Sequence, residues 1–128
     1  MDKALVIIPT YNEVENIKKI VQMTLKHKAF DILVVDDSSP DGTADLVLEL
    51  IKTHPNRLYL EQRERKDGLG KAYIHGFKWA LEKKYEFVFE MDADLSHHPN
   101  ELPTMLDYLK SEYSMVIGSR YIKGINVV

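Results

Sequence analysis

Residues 4–43 read ALVIIPTYNEVENIKKIVQMTLKHKAFDILVVDDSSPDGT, and this stretch decides the fold class. Residues 4–8 (ALVII) and 32–35 (ILVV) are apolar throughout. A strand with one wet face alternates polar and apolar side chains, so unbroken apolar runs predict strands covered by helices on both faces. Between the two runs Ile17, Ile20, Val21, Thr24 and Leu25 recur at helical spacing, with Asn12 and Glu15 placed to cap the helix. Strand, helix, strand at this spacing is a parallel crossover unit.

The alternation continues outward. Residues 58–60, 87–91 and 115–117 predict further strands. Ala44, Val47, Leu48 and Ile51 make a helical stripe behind a capping Asp41. Ala72, Tyr73, Gly76, Phe77, Ala80 and Leu81 make another, and Leu102, Met105, Leu106 and Leu109 a third behind Pro99. The order β-α-β-α-β-α-β-α-β predicts one α/β domain over residues 1–128, a doubly wound, mostly parallel sheet flanked by helices. In such sheets ligands bind outside the carboxyl ends of the strands. The polar clusters fall there in turn: residues 9–13, 36–43, 68–71, 92–94 and 118–121.

Composition narrows the function. Of 128 residues 45% are hydrophobic, enough for one core, and 17 Lys plus Arg against 20 Asp plus Glu give a net charge of −3. A general nucleic-acid binder carries a basic surplus, so no nucleic-acid partner is expected. The chain has no cysteine, which excludes disulfides, thiolate metal sites and cysteine nucleophiles. No apolar run approaches the roughly 20 residues of a membrane span, and residues 1–8 are too short for a secretory signal. A cytoplasmic domain able to touch a membrane surface is expected.

Asp92-Ala93-Asp94 is the sharpest chemical signal. Alternate residues just past a strand aim two carboxylates at one point, and such a pair repels unless a cation or proton intervenes. Oxygen ligands without cysteine suit a hard ion, Mg²⁺ or Mn²⁺, that shares its shell with water and phosphates; the bland alternative is a turn with capping aspartates. Ser96 lies close enough to approach such an ion. The following His97-His98-Pro99 is read as shaping the start of the last helix rather than as ligands. Asp36 ends a strand where doubly wound folds hold a ribose hydroxyl or base N–H. Asp37 orients the loop or approaches the metal, and Val34 flanks the base. Gly68-Leu69-Gly70-Lys71 fits neither phosphate-loop fingerprint and is read as a turn before a helix, where Lys71 can meet an anion. Arg63, Arg65 and Lys66 are expected as a solvated basic edge, and Arg120 as the better phosphate partner because its planar fork binds bidentately.

The segments PTYNE (residues 9–13), VVDDSSPDGT (34–43), GLGKAYIHG (68–76), MDADLSHHP (91–99) and GSRY (118–121) resemble the dolichol- or polyprenol-phosphate mannosyltransferases. The match is collinear and spans nearly the whole chain. The resemblance implies a Rossmann-like GT-A fold and an inverting glycosyltransferase, moving mannose from GDP-mannose to a polyprenol phosphate at the cytoplasmic membrane face. It implies a donor site of Pro9, Tyr11, Glu13, Val34, Asp36, Asp92, Ala93, Asp94 and Arg120, with Asp92 and Asp94 on the divalent ion and Asp92, Asp94 and Arg120 catalytic. Some relatives carry glutamine where this chain has Ser96. Members of that family continue well past the Gly-Ser-Arg-Tyr segment. The chain is therefore expected to be the donor-binding half, truncated at its C-terminus, retaining nucleotide affinity with little or no transfer. Its last strand is expected to be an exposed edge that invites a homodimer. Two other readings stay open. One is a nucleotide-sugar-binding fragment without turnover, or a transferase using a donor such as UDP-glucose. The other is a haloacid-dehalogenase-type phosphohydrolase, which places its Asp-x-Asp after the first strand.

Overall fold

The structure, a computed structural model, describes residues 3–64, 69–96, 98–111, 121–123 and 126–127. In chain order the elements are β1 (Ala4–Thr10), α1 (Ile17–Leu25), β2 (Phe30–Asp36), α2 (Thr43–Thr53), β3 (Leu58–Gln62), α3 (Leu69–Glu82) and β4 (Phe87–Glu90). A 3-10 turn (Pro99–Glu101) then leads into α4 (Leu102–Ser111), followed by β5 (Tyr121–Lys123) and β6 (Asn126–Val127). They form one sheet of order β3-β2-β1-β4-β5-β6.

The strands β1 to β4 are parallel. Thr10 stands opposite Asp36 and Asp36 opposite Gln62, whereas β4 joins β1 only as far as Ile7 and Glu90. The chain steps outward from β1 through β2 to β3, then crosses back to place β4 on the other side of β1. That reversal makes the β1/β4 boundary a topological switch point, where a crevice opens beyond the carboxyl ends.

Both faces of the sheet are covered, which explains the unbroken apolar runs. Val6, Ile8, Ile32 and Val34 join one core with Ile17, Val21, Val47, Leu102 and Leu106 from α1, α2 and α4. Leu5, Ile7, Leu33, Val35 and Val88 pack under α3 with Ala72, Tyr73 and Ala80. Each large aliphatic side chain so enclosed contributes about 1.5–3 kcal/mol.

The expected faces of α1 and α4 are buried residue for residue. Four expectations need correction. Leu48 is 49% exposed while Leu50 is buried, because the inward stripe of α2 runs Val47–Leu50 and position 48 lies about 100° around the helix. Leu81 is 39% exposed for the same reason, the inward place belonging to Ala80. Helix α1 starts at Ile17 behind Asn16, and the Glu13 carbonyl takes the Ile17 N–H, so Asn12 and Glu15 do not cap it. The expected strand over residues 115–117 lies outside the described residues. Tyr121 is not in a loop after a strand; it opens β5, which pairs antiparallel with β4, Phe89 opposite Tyr121.

The amino end of the sheet is held by charge. Asp31, 4% exposed, receives Lys3 Nζ at 3.0 Å and the Tyr85 hydroxyl at 2.6 Å. The Arg57 guanidinium lies 3.7 Å from the same carboxylate and donates to the carbonyls of Leu25, His27 and Phe30, closing the turn between α1 and β2. Burial and the bond to Asp31 together push the Tyr85 phenol far above its usual value of 10.0. A folded-state value raised above the unfolded one gives stability that is full below about pH 10 and is lost as pH rises beyond it. Denaturant titrations between pH 8 and 11.5 should therefore show the wild type losing more stability than Tyr85→Phe; equal losses would contradict the assignment.

Gly76 lets α3 approach the sheet. A Cβ there would sit 2.7 Å from Ile7 Cγ2, whereas one at Gly70, in the first turn, meets nothing within 4 Å. Gly76→Ala should cost about 1–3 kcal/mol by overpacking, and Gly70→Ala should be neutral or stabilising by up to about 1 kcal/mol. Thermal unfolding of the two variants reads the contrast directly.

Candidate functional site

The loops after β1 and β2 are stitched together at the rim. The Asp37 N–H donates to the Thr10 carbonyl at 3.1 Å, Asn12 N–H to Ser39 Oγ at 2.9 Å, Glu13 N–H to Thr43 Oγ1 at 3.0 Å and Val14 N–H to Asp41 Oδ2 at 3.1 Å. Asn12, Ser38 and Gly42 have φ of 58°, 56° and 90°, left-handed conformations that turn these loops back over the sheet. Asp41 also accepts the Thr43 N–H at the start of α2, as its position in the sequence suggests. Slight burial raises its pKa, but hydrogen bonds from Thr43 and Val14 outweigh that and set it below the usual 3.8.

Asp36 lies at the centre of this arrangement with no exposed surface. Its Oδ1 accepts Thr10 Oγ1 and Ser39 Oγ, both at 2.6 Å, and its Oδ2 accepts the Ser39 N–H at 3.0 Å. A direct bond to a nucleotide, as the sequence reading expects, has to share these oxygens with Ser39. Asp37, 5% exposed, faces Arg63 Nε at 3.5 Å. Of its two expected roles, the structure shows the loop-orienting one. Arg63 is correspondingly not part of a solvated edge: its side chain is 12% exposed, and its N–H donates to the Asp36 carbonyl. Arg65 and Lys66 lie outside the described residues.

The acidic pair follows β4 directly, across the switch point from Pro9. The Met91 N–H still bonds the Ile7 carbonyl at 3.0 Å, so the strand fixes where the next residues start. Asp92 is half-buried and its Oδ1 accepts the Tyr73 hydroxyl of α3 at 3.0 Å. Ala93 is buried; Asp94 is exposed, and its Oδ1 accepts the Ser96 N–H at 2.9 Å. Leu95 has a φ of 64°, a costly conformation for a branched residue, offset by packing its side chain against the core.

Among the described residues no group of three His, Cys, Asp or Glu surrounds a metal position. Two hard carboxylates nevertheless fit Mg²⁺ or Mn²⁺. Such ions are held by one or two carboxylates, with water and phosphate completing the shell, and Tyr73 leaves Asp92 Oδ2 for a cation. Ser96 presents its backbone to Asp94. His98 accepts the Asn100 N–H through Nδ1 at 3.2 Å and caps the 3-10 turn, the shaping role expected of it. His97 lies outside the described residues.

Of the other expected donor residues, Tyr11 is 39% exposed and Pro9 and Glu13 are half-buried on the rim. Val34 is wholly enclosed in the core, so its side chain supports the site from beneath rather than lining it. Gly70 and Lys71 belong to the first turn of α3 rather than to a loop before it; Gly68 and Arg120 lie outside the described residues. Sequence reading missed Thr10, Ser39 and Tyr73 as site-organising residues. Only Tyr73 carried a signal, a buried tyrosine whose hydroxyl needs a partner.

The sequence profile of glycosyl transferase family 2 matches residues 5–128. Polyprenol monophosphomannose synthase of Mycolicibacterium smegmatis is 49% identical over 125 residues, covering 95% of this chain and 46% of that protein. Undecaprenyl-phosphate mannosyltransferase of Micrococcus luteus is 43% identical over 127 residues, covering 98% and 51%. The chain thus spans about half the length of these curated relatives. Among solved structures, the mannosyltransferase PcManGT from Pyrobaculum calidifontis in complex with GDP-Man and Mn²⁺ superposes with a TM-score of 0.65 at 30% identity, covering 72% of this chain and 27% of that one. The expected glycosyltransferase fold, parallel strands flanked by helices, is borne out.

Thr10→Val removes one donor from the enclosed Asp36 carboxylate while keeping side-chain shape. A bond to a charged group contributes about 1.5–3 kcal/mol, so denaturant unfolding should show a loss in that range; an unchanged midpoint would contradict the role given to Thr10.

Proposed function

This chain belongs to glycosyl transferase family 2, and we propose that it binds GDP-mannose with a divalent ion and serves mannose transfer to a polyprenol phosphate. The observation that supports the reading is that the stitched β1 and β2 loops and Asp92-Ala93-Asp94 leave the same end of adjacent parallel strands, at the β1/β4 switch point. Support for the donor and acceptor comes from relatives named for transfer to polyprenol phosphates and from a neighbour holding GDP-Man and Mn²⁺.

The loops carrying Pro9, Tyr11 and Glu13 flank the nucleoside, with Asp36 beneath them fixing the loop that meets ribose or base. Asp92 and Asp94 would hold Mg²⁺ or Mn²⁺, with Ala93 between them anchored in the core. The ion supplies Lewis-acid neutralisation of the charge developing on the leaving group. Arg120, given this role by the family resemblance, would add a second positive charge to neutralise the leaving group. An acceptor phosphate oxygen forms the new bond to the anomeric carbon as the bond to GDP breaks on the opposite face, with inversion. A phosphate monoester has a second pKa near 6 and is ionised at neutral pH, so it attacks without a general base. The acceptor's lipid tail implies work at a membrane surface, and the family resemblance implies the cytoplasmic one. No described helix is long and apolar enough to cross one.

A thermal-shift comparison of nucleotide sugars with and without Mn²⁺ tests the reading. A ligand at about 100 times its dissociation constant adds about 2.7 kcal/mol to the native state. GDP-mannose with Mn²⁺ should give the largest rise, and Asp92→Ala should abolish the metal-dependent part. A larger rise with UDP-glucose would overturn the donor assignment, and a metal-dependent rise surviving in Asp92→Ala would overturn the site.

A further inference from the structure

Asp92 has one hydrogen-bond donor among the described side chains, the hydroxyl of Tyr73 at 3.0 Å. Tyr73 sits on α3, on the opposite face of the sheet from α1, α2 and α4, and is 7% exposed. Its ring belongs to the core cluster beneath α3 and stacks on Phe77, with centroids 6.3 Å apart and planes 20° from parallel. The helix backbone is pressed onto β1 by Gly76, where not even a Cβ would fit against Ile7. The phenol is therefore held by packing: its helix is seated closely on β1, its ring is enclosed in the core, and its hydroxyl meets the carboxylate from that side.

From this geometry we infer that Tyr73 is a positioning residue for the cation site. A carboxylate on a turn rotates about two side-chain bonds, and each turn of the plane re-aims both oxygens. Holding Oδ1 from behind fixes that plane and directs Oδ2 outward, toward the rim shared with Asp94. Ligands fixed by an outer hydrogen bond bind metal more tightly because the ordering is done before the ion arrives, and losing such a partner typically weakens affinity about 10–100-fold. Asp94 is exposed, and its Oδ1 accepts the neighbouring Ser96 N–H.

This inference rests on the proposed cation site, and one experiment separates the two. Mn²⁺ is titrated into the chain in the presence of GDP and followed by electron paramagnetic resonance of the free ion. GDP affinity without metal and thermal stability are measured alongside for the wild type, Tyr73→Phe and Asp92→Ala. Tyr73→Phe keeps the ring, the Phe77 stacking and the buried shape. The expected result is an Mn²⁺ affinity about 10–100-fold weaker in Tyr73→Phe, with metal-free GDP affinity unchanged and cooperative unfolding kept at a melting temperature at most a few degrees (about 4–8 °C per kcal/mol for a small domain) lower, and no site-bound Mn²⁺ in Asp92→Ala. Unchanged or tighter Mn²⁺ binding in Tyr73→Phe, with binding lost in Asp92→Ala, would overturn the positioning role and leave the site standing. Weaker Mn²⁺ binding together with an equal loss of metal-free GDP affinity would reduce Tyr73 to a packing residue. Saturable Mn²⁺ binding that survives in Asp92→Ala would overturn both.

Discussion

Parallel pairing is the constraint on which everything else depends. Because β1 to β4 run in one direction, each carboxyl end opens on the same rim, and each loop that leaves it must turn there. The crossing of α3 to the far face then sets β4 beside β1 and not beside β3. Residues more than 80 positions apart in sequence, Ile7 and Met91, are thereby joined by a backbone hydrogen bond just before the acidic pair.

The loops after β1, β2 and β3 are joined through the enclosed Asp36 carboxylate and the Asp37–Arg63 pair. Thr10 and Ser39 bring three hydrogen bonds to the Asp36 carboxylate, and a buried charge met in this way favours a single loop arrangement. The acidic loop after β4 is held by Tyr73 from the core, by the Ser96 N–H on Asp94 and by the left-handed turn at Leu95. The Asp31 network closes the opposite end of the sheet, so the charges that stabilise the fold and those that face the ligand are kept a strand length apart.

Most of the fold was legible because its signals are periodic. The runs at 4–8 and 32–35 declared two-faced strands, and the stripes of α1 and α4 were found in full. Leu48 and Leu81 misled because hydrophobicity alone does not say which of two adjacent apolar residues turns inward. Asn12 looked like a cap since cap chemistry and left-handed turn chemistry favour the same residue. In the site, Asp92 and Asp94 were legible from spacing, and Asp36 from its place at a strand end. Arg63 was misread as surface because its partner Asp37 is a neighbour only in the folded sheet. Thr10, Ser39 and Tyr73 gave little warning for the same reason: a hydroxyl becomes meaningful through the carboxylate it meets, and that meeting exists only in three dimensions.

The central claim is that one crevice, at the boundary of β1 and β4, takes both the cation and the diphosphate. Anomalous diffraction from crystals grown with Mn²⁺ and GDP tests it most directly. The account predicts a single strong manganese peak within coordination distance of Asp92 and Asp94, bridged to the diphosphate, with the nucleoside over the loops that carry Tyr11 and Asp36. A manganese peak at any other acidic cluster, or a GDP molecule bound away from that crevice, would contradict it.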